Sequence, residues 1–305
     1  MTHLDDASKF CDGPLLPYRE RGIKITEQYG AHCATLLHDG TDFFTYDVQP
    51  SEAEIEHFYD VEYPSSRRTG WYQAAPQYDI DRWTSAITRI EGLARRLRTN
   101  AKDLRVHDVG CGFGGLVHHL RERGYDATGT DLSAEAISGG RAERNNQWIH
   151  HERAEHFLAG QPKQHIVILN HMIEHSTDPL GQLRALRGTL APGGYIIIRC
   201  PNSRFIRSVD VGIRDNWYGY PKHLQIFGPN SLRRLLEVVG FDDVEIGGTD
   251  TDMRIEGELE LLKPLVEARG GASEDESRIV ADLVASIQSK ELEGVGRVSP
   301  LGTGR

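Results

Sequence analysis

His171, Glu174 and His175 stand in the stretch VILNHMIEHSTDP at the spacing H-x-x-E-H. On one continuous helix that spacing would place two imidazoles on a metal and a carboxylate beside a water, the chemistry of an inverted-motif zinc peptidase. The setting argues against it. The apolar run at 166–169 reads as a strand, and Asp178-Pro179 opens a new element, so little room is left for such a helix. Off a helix, the same side chains can take a proton from an acceptor, since an unperturbed histidine titrates at about 6.5; they can also hold a metal or simply hold their loop.

A second group sits upstream. In VHDVGCGFGG (106–115), Gly110, Gly112 and Gly115 satisfy G-x-G-x-x-G directly after a strand-like run, and Asp131 closes the next strand about twenty residues on. Such a turn lets backbone approach a nucleotide cofactor, and the distal carboxylate can accept both ribose hydroxyls. This fits a nicotinamide cofactor and S-adenosylmethionine equally well, and Asp108 separates them. Two residues before Gly110, it would face the pyrophosphate of a dinucleotide, whereas S-adenosylmethionine brings an ammonium and a sulfonium that a carboxylate favours.

These groups need a parallel α/β sheet to position them. From residue 104, apolar runs at 104–109, 126–131, 147–151, 165–169 and 195–200 alternate with helical segments. One helix, 181–190, is closed by Ala191-Pro192-Gly193-Gly194, and another, 231–240, ends at Gly240 before the strand-like FDDVEI. Trp83, Ile87, Ile90 and Leu97 predict an amphipathic helix over 80–98 covering the sheet. Ser51-x-x-Glu54 marks a capping box and one short helix in the less regular first 78 residues. A second box, Ser273 and Glu276, precedes a tail helix with an apolar stripe that packs on its own chain or on a partner, which leaves a homo-oligomer open. The last residues, GVGRVSPLGTGR, read as a flexible end. The connection 201–228 is long and carries Trp217, Tyr218, Tyr220, Arg204, Arg207, Arg214 and Lys222, so it reads either as a lid over an acceptor or as aromatics packed on the sheet.

The bulk numbers bound the partners. The 305 residues suit one main domain with extensions, and 38% hydrophobic with 26% charged residues describes a soluble globular chain. A net charge of −10 disfavours a nucleic-acid partner or an anionic membrane surface. Cys11, Cys33, Cys111 and Cys200 are scattered, without a C-x-x-C pair, which fits a reducing, cytoplasmic setting. No apolar run reaches the roughly 18 residues of a membrane span, and the N-terminus lacks the plan of a signal peptide.

From about residue 80 to 248 the chain resembles the class I S-adenosylmethionine-dependent methyltransferases, in particular a branch like the ubiquinone-pathway O-methyltransferases. The matching pieces are HDVGCGFG, GTDLS, ILNHMIEHSTDP, LAPGGYIIIRCPN and HLQIFGPNSLRRLLEVVGF. The resemblance implies a Rossmann-like α/β fold with a mostly parallel seven-stranded sheet flanked by helices. It places Asp108, Gly110, Gly112 and Gly114 around the donor's methionine part, Asp131 on the ribose, Leu132 against the adenine and Asn170 near the donor. The family often has an acid before Ala at the end of the third strand, contacting the adenine amino group; Arg153-Ala154 stands there instead, and arginine cannot accept that bond. In small-RNA 3′-terminal 2′-O-methyltransferases and in the ubiquinone-pathway enzymes the acceptor-side loop reads Glu-x-x-Glu-His, and in the RNA enzymes a later histidine completes a divalent-metal site. Here the first position is His171, and His223 takes the later place.

The expectation is thus a methyltransferase acting on a hydroxyl or amine of a small molecule, in specialised metabolism. His171, His175 and His223 would contact the acceptor, and no metal is assigned. The expected division is an accessory region at 1–78, the methyltransferase domain at 79–250 and a helical extension with a flexible tail at 251–305. An RNA-end methyltransferase with a divalent metal, a nicotinamide-dependent oxidoreductase and a non-catalytic binding module are the alternatives.

Overall fold

The computed structural model describes residues 3–20, 23–24, 26–62, 77–204, 219–249 and 291–300. The expected tail helix, with Trp217, Tyr218, Arg207 and Arg214, lies outside the described residues. The chain opens with α1 (His3–Ala7), then β1 (Leu16–Pro17), β2 (Arg19–Glu20), β3 (Ile23–Lys24), β4 (Thr26–Tyr29), β5 (His32–His38) and β6 (Phe44–Tyr46). β5 is the hub, pairing antiparallel with β1, β4 and β6. The short helix α2 (Glu52–His57) follows. Its capping box forms in both directions: Ser51 Oγ accepts the Glu54 N–H at 3.3 Å, and the Glu54 carboxylate accepts the Ser51 N–H at 2.8 Å.

The predicted amphipathic helix is α3 (Gln77–Leu97), and the alternating pattern follows as β7 (Arg105–Val109), α4 (Gly115–Glu122), β8 (Asp126–Asp131), α5 (Ala134–Arg144), β9 (Ile149–His151), α6 (Ala154–Ala159), β10 (Gln164–Asn170), α7 (Pro179–Thr189), β11 (Leu190–Pro201), β12 (Gln225–Ile226), α8 (Pro229–Val239), β13 (Asp242–Gly248) and β14 (Glu291–Arg297). Seven strands form one sheet in the order β13-β14-β11-β10-β7-β8-β9, with β14 antiparallel to both neighbours and the other pairs parallel. This is the expected Rossmann-like arrangement, a mostly parallel seven-stranded sheet flanked by helices.

Alternation sorts the central strands between two cores. Ile166, Ile168 and Ile197 face α3 and α4, while Val167, Leu169, Ile196 and Ile198 face α7 and α8, all 0% exposed. Burying each such aliphatic stabilises the fold by about 1.5–3 kcal/mol. Between β10 and β11 the register jumps, with Gln164 opposite Leu190 but Ile166 opposite Tyr195. Ala191 to Gly194 loop out there, and Gly193 takes a φ of 78°.

One expectation fails. Gly294 to Val298 begin no flexible end: β14 inserts between β11 and β13, with Val295 1% exposed. Its glycines answer to packing, because a Cβ on Gly296 would lie 2.7 Å from Phe241 Cβ and one on Gly294 3.0 Å from Leu232. The N-terminal strands pack against the rest of the chain. β12 pairs antiparallel with β6, so the segment after β11 joins the N-terminal sheet, and Leu36, Phe44 and Tyr46 share a core with Tyr220, Leu224 and Ile226.

Candidate active site

The glycine turn after β7 is left-handed at three glycines, with φ of 70°, 54° and 71° at Gly110, Gly112 and Gly114, and Gly115 opens α4. A side chain at Gly110 would strike Met172 at 2.9 Å, so the turn packs directly on the loop that carries His171 to His175. Asp131 closes β8, its two oxygens accepting the N–H groups of Gly112 and Ser133, both at 2.8 Å. A carboxylate has about four acceptor sites, so this anchoring is compatible with holding ribose hydroxyls.

Asp108 is buried at the end of β7, and its Oδ1 has no hydrogen-bond partner among the described residues. Burial, with the nearby Asp131 charge second, pushes its carboxyl up to about 8. Asn170 Oδ1, at the end of β10, is also buried and unpartnered among the described residues. Two orphaned acceptors beside a left-handed glycine turn suit a cationic ligand with donors, and they fit the ammonium and sulfonium of S-adenosylmethionine better than a pyrophosphate. Leu132 sits just beyond, its carbonyl accepting His151 Nε2 at 2.9 Å. Arg153 does not face an adenine acceptor role at all: its guanidinium meets Glu56 at 2.7 Å and Glu52 at 3.4 Å, tying α2 to the turn after β9.

On the acceptor side, Ile173–His175 form a single 3₁₀ turn, so the H-x-x-E-H residues share no continuous helix and the peptidase arrangement is absent. His171 adopts a left-handed backbone, φ 55°, while its N–H still extends the ladder to Arg199 O at 2.8 Å. Its ring is gripped from both sides, Nδ1 by Glu174 at 3.1 Å and Nε2 by Glu291 at 2.8 Å. Both carboxylates are buried, at 0% and 2% exposure. With Nδ1 hydrogen-bonded to Glu174 and Nε2 set against the buried Glu291 carboxylate without a hydrogen bond of its own among the described residues, neither ring nitrogen faces an open acceptor site, and the ring is poorly placed to act as a base.

His175 is arranged differently. Its Nδ1 lies 2.5 Å from the Lys222 carbonyl, which can only accept, so the proton sits on Nδ1 and the lone pair on Nε2. Burial holds this ring below the usual histidine range. His223 packs against it with ring centroids 4.9 Å apart, and Tyr59 meets it edge-on at 5.6 Å. Ligand-type atoms of Glu174, His175 and His223 lie within 4.8 Å of one another. Glu174 Oε2 has no hydrogen-bond partner among the described residues. Two imidazoles and one carboxylate form a donor set for a divalent transition metal rather than magnesium.

The structure thus brings His175 and His223 together and sets His171 apart as a clamped residue. Glu291 and Tyr59 were missed by sequence reasoning. Glu291 lies in the stretch expected as the C-terminal extension, and Tyr59 carries no motif of its own beyond its place just after the short helix that the Ser51-x-x-Glu54 box predicts. His107, which neighbours Asp108, has no site role: Nδ1 and Nε2 meet Thr128 and Thr130 hydroxyls at 2.8 and 3.1 Å, and burial pushes its pKa down to about 3.

A family model described as a methyltransferase domain matches residues 77–246. Among curated relatives, the ubiquinone biosynthesis O-methyltransferase of Idiomarina loihiensis is 31% identical over 156 residues, which is 47% of this chain and 64% of that one. The enzyme of the same name from Nitrosospira multiformis is 29% identical over 171 residues, covering 52% and 71% of the two chains. The match to the Idiomarina protein therefore falls short of two thirds of its length. Among solved structures, the plantazolicin methyltransferase BpumL superposes with a TM-score of 0.54 at 14% identity, over 81% of this chain and 98% of its own. The [4+2]-cyclase SpnF gives 0.51 at 17% identity, over 82% and 98%. These two likenesses speak to fold alone, and the second shows the fold in a protein named for another reaction.

Proposed function

The chain belongs to the methyltransferase-domain family, whose cofactor is S-adenosylmethionine, and we propose that it transfers the donor's methyl group to a hydroxyl of a small molecule. The observation that carries this is Asp108, a buried carboxylate with an orphaned oxygen where the glycine turn would bring a cation. The donor, when bound, supplies an electrophilic methyl on a sulfonium. The protein's residues do the rest. Asp108 and Asn170 hold the methionine part, the backbone of Gly110, Gly112 and Gly114 gives close approach, Asp131 takes the ribose and Leu132 flanks the adenine.

His175 takes the acceptor proton at Nε2, and His223 lines the same corner. His171, held between Glu174 and Glu291, fixes the loop rather than the proton. Rate enhancement is mostly positional, with proton removal contributing roughly 10²–10⁴-fold. A hydroxyl acceptor is favoured over an amine by the two relatives, both named as O-methyltransferases. An acceptor from specialised metabolism remains part of this proposal. Calorimetry with S-adenosylhomocysteine and with NAD tests the donor half, and NAD binding without S-adenosylhomocysteine binding overturns it. Loss of at least about 100-fold in turnover of a catechol by His175→Gln, with donor affinity kept, tests the base.

A second reading is favoured by the cluster of Glu174, His175 and His223. These three would hold a divalent metal that polarises the acceptor oxygen. Stoichiometric metal in the purified protein, with turnover lost to a chelator and regained on metal addition, would select it over the base.

A further inference from the structure

The Lys222 carbonyl that fixes the proton of His175 has a second donor. Tyr59 Oη–H reaches it at 3.2 Å from the turn after α2, 163 residues away in sequence. The same loop is tied down at two more points, His223 N–H to Gly219 O at 2.9 Å and Leu224 N–H to Glu174 O at 2.8 Å. Around it, Tyr220 is packed against Tyr46 at 5.0 Å between centroids, and its N–H donates to Glu27 at 3.1 Å. The N-terminal strands thus brace the segment that presents the carbonyl.

Resting on the assignment of His175 above, we propose that Tyr59 is a positioning residue: by pinning the Lys222 carbonyl it holds His175 in its Nδ1–H form and keeps the lone pair on Nε2. An unconstrained histidine side chain in water prefers the other form, with the proton on Nε2, so an acceptor at Nδ1 must impose the reverse. A typical neutral hydrogen bond is worth about 1 kcal/mol net, a population ratio of roughly five, which is enough to tip a tautomer and small enough to be lost when the carbonyl swings. A loop carbonyl carrying two donors from different segments has far less freedom to swing than one carrying a single donor. The N-terminal region therefore completes the reacting end of the site instead of only covering it.

The test uses the full chain. In ¹⁵N spectra of histidine-labelled protein, wild-type His175 should show an unprotonated Nε2. In Tyr59→Phe, which keeps the ring, that signal should move toward the protonated position, and kcat on a catechol should fall about fivefold with the donor KM unchanged. Placing 4-aminophenylalanine at 59, which keeps a donor, should restore both. An unshifted Nε2 signal in Tyr59→Phe overturns the proposal, as does a shifted signal with full kcat. If only Tyr59→Leu has an effect, ring packing was the whole role and the proposal also falls. Failure of the base assignment is distinguishable: His175→Gln would then stay active, while the tautomer signal still judges Tyr59 by itself.

Discussion

Burial and the neighbouring Asp131 charge push the Asp108 carboxyl up to about 8, far above the ordinary carboxylate range. The folded protein therefore holds a proton that the unfolded chain has released, from pH about 4 up to about 8, and ligand-free stability falls as pH rises through that window. A cation beside Asp108 reverses the preference by expelling the proton. S-adenosylhomocysteine affinity should climb by up to roughly tenfold per pH unit from pH 6 toward 8, levelling off where Asp108 is already ionised in the free protein. Calorimetry in two buffers of different ionisation heat should register the released proton. Asp108→Asn should weaken binding by about 30-fold and flatten the pH dependence. A flat profile in the wild type would mean that Asp108 does not meet the ammonium. This residue was legible in advance because its meaning lies in local spacing to Gly110; the clamp on His171 was not, because Glu291 is brought to it only by the sheet.

Among elements, α8 shows how far its start depends on distant chain. Its first turn is capped by Asp42 of the N-terminal region, whose oxygens accept the Asn230 N–H at 2.8 Å and the Ser231 N–H at 3.1 Å. Gly228 at the cap leaves room for it, since a Cβ there would lie 2.3 Å from Asp42 Cβ. Asp42→Ala should cost about 1–2 kcal/mol, read as a lower urea midpoint, because it orphans the buried Ser231 N–H, frees that of the exposed Asn230 and removes a cap from a helix N-terminus. In β14, Gly296→Ala should cost about 1–3 kcal/mol by forcing Phe241 aside, whereas in a flexible tail it would cost nothing. The same unfolding curve measures both. The strands β7 to β11 and the helices between them were readable from periodicity and turn residues. β14 was not, because two glycines in four residues signal flexibility locally, and the reason for them, contact with Phe241 and Leu232, is tertiary.

At the scale of the molecule, the N-terminal strands, the methyltransferase sheet and the late strand close on one another. Phe10 and Phe43 pack with Phe227 in the core shared by α7 and α8. Arg89 hydrogen-bonds Glu245 at 2.6 Å and forms an ion pair with Glu293 at 2.9 Å, and Arg96 hydrogen-bonds Glu245 at 2.6 Å, fastening α3 to β13 and β14. A chain stopped at residue 290 loses the strand between β11 and β13 along with Glu291, and it should give no cooperative thermal transition and no S-adenosylhomocysteine binding.

The place of β14 has a kinetic consequence. β11 and β13 cannot become neighbours by direct collapse, because the strand that joins them follows both in the chain. Until it arrives, the apolar edge of β11 stays open and β13 has nothing to pair with on that side. Such non-local pairing slows folding and leaves an unpaired strand edge exposed in the meantime. Refolding from denaturant should therefore show a half-built sheet that is prone to self-association, whose lifetime is set by the docking of residues 291–297.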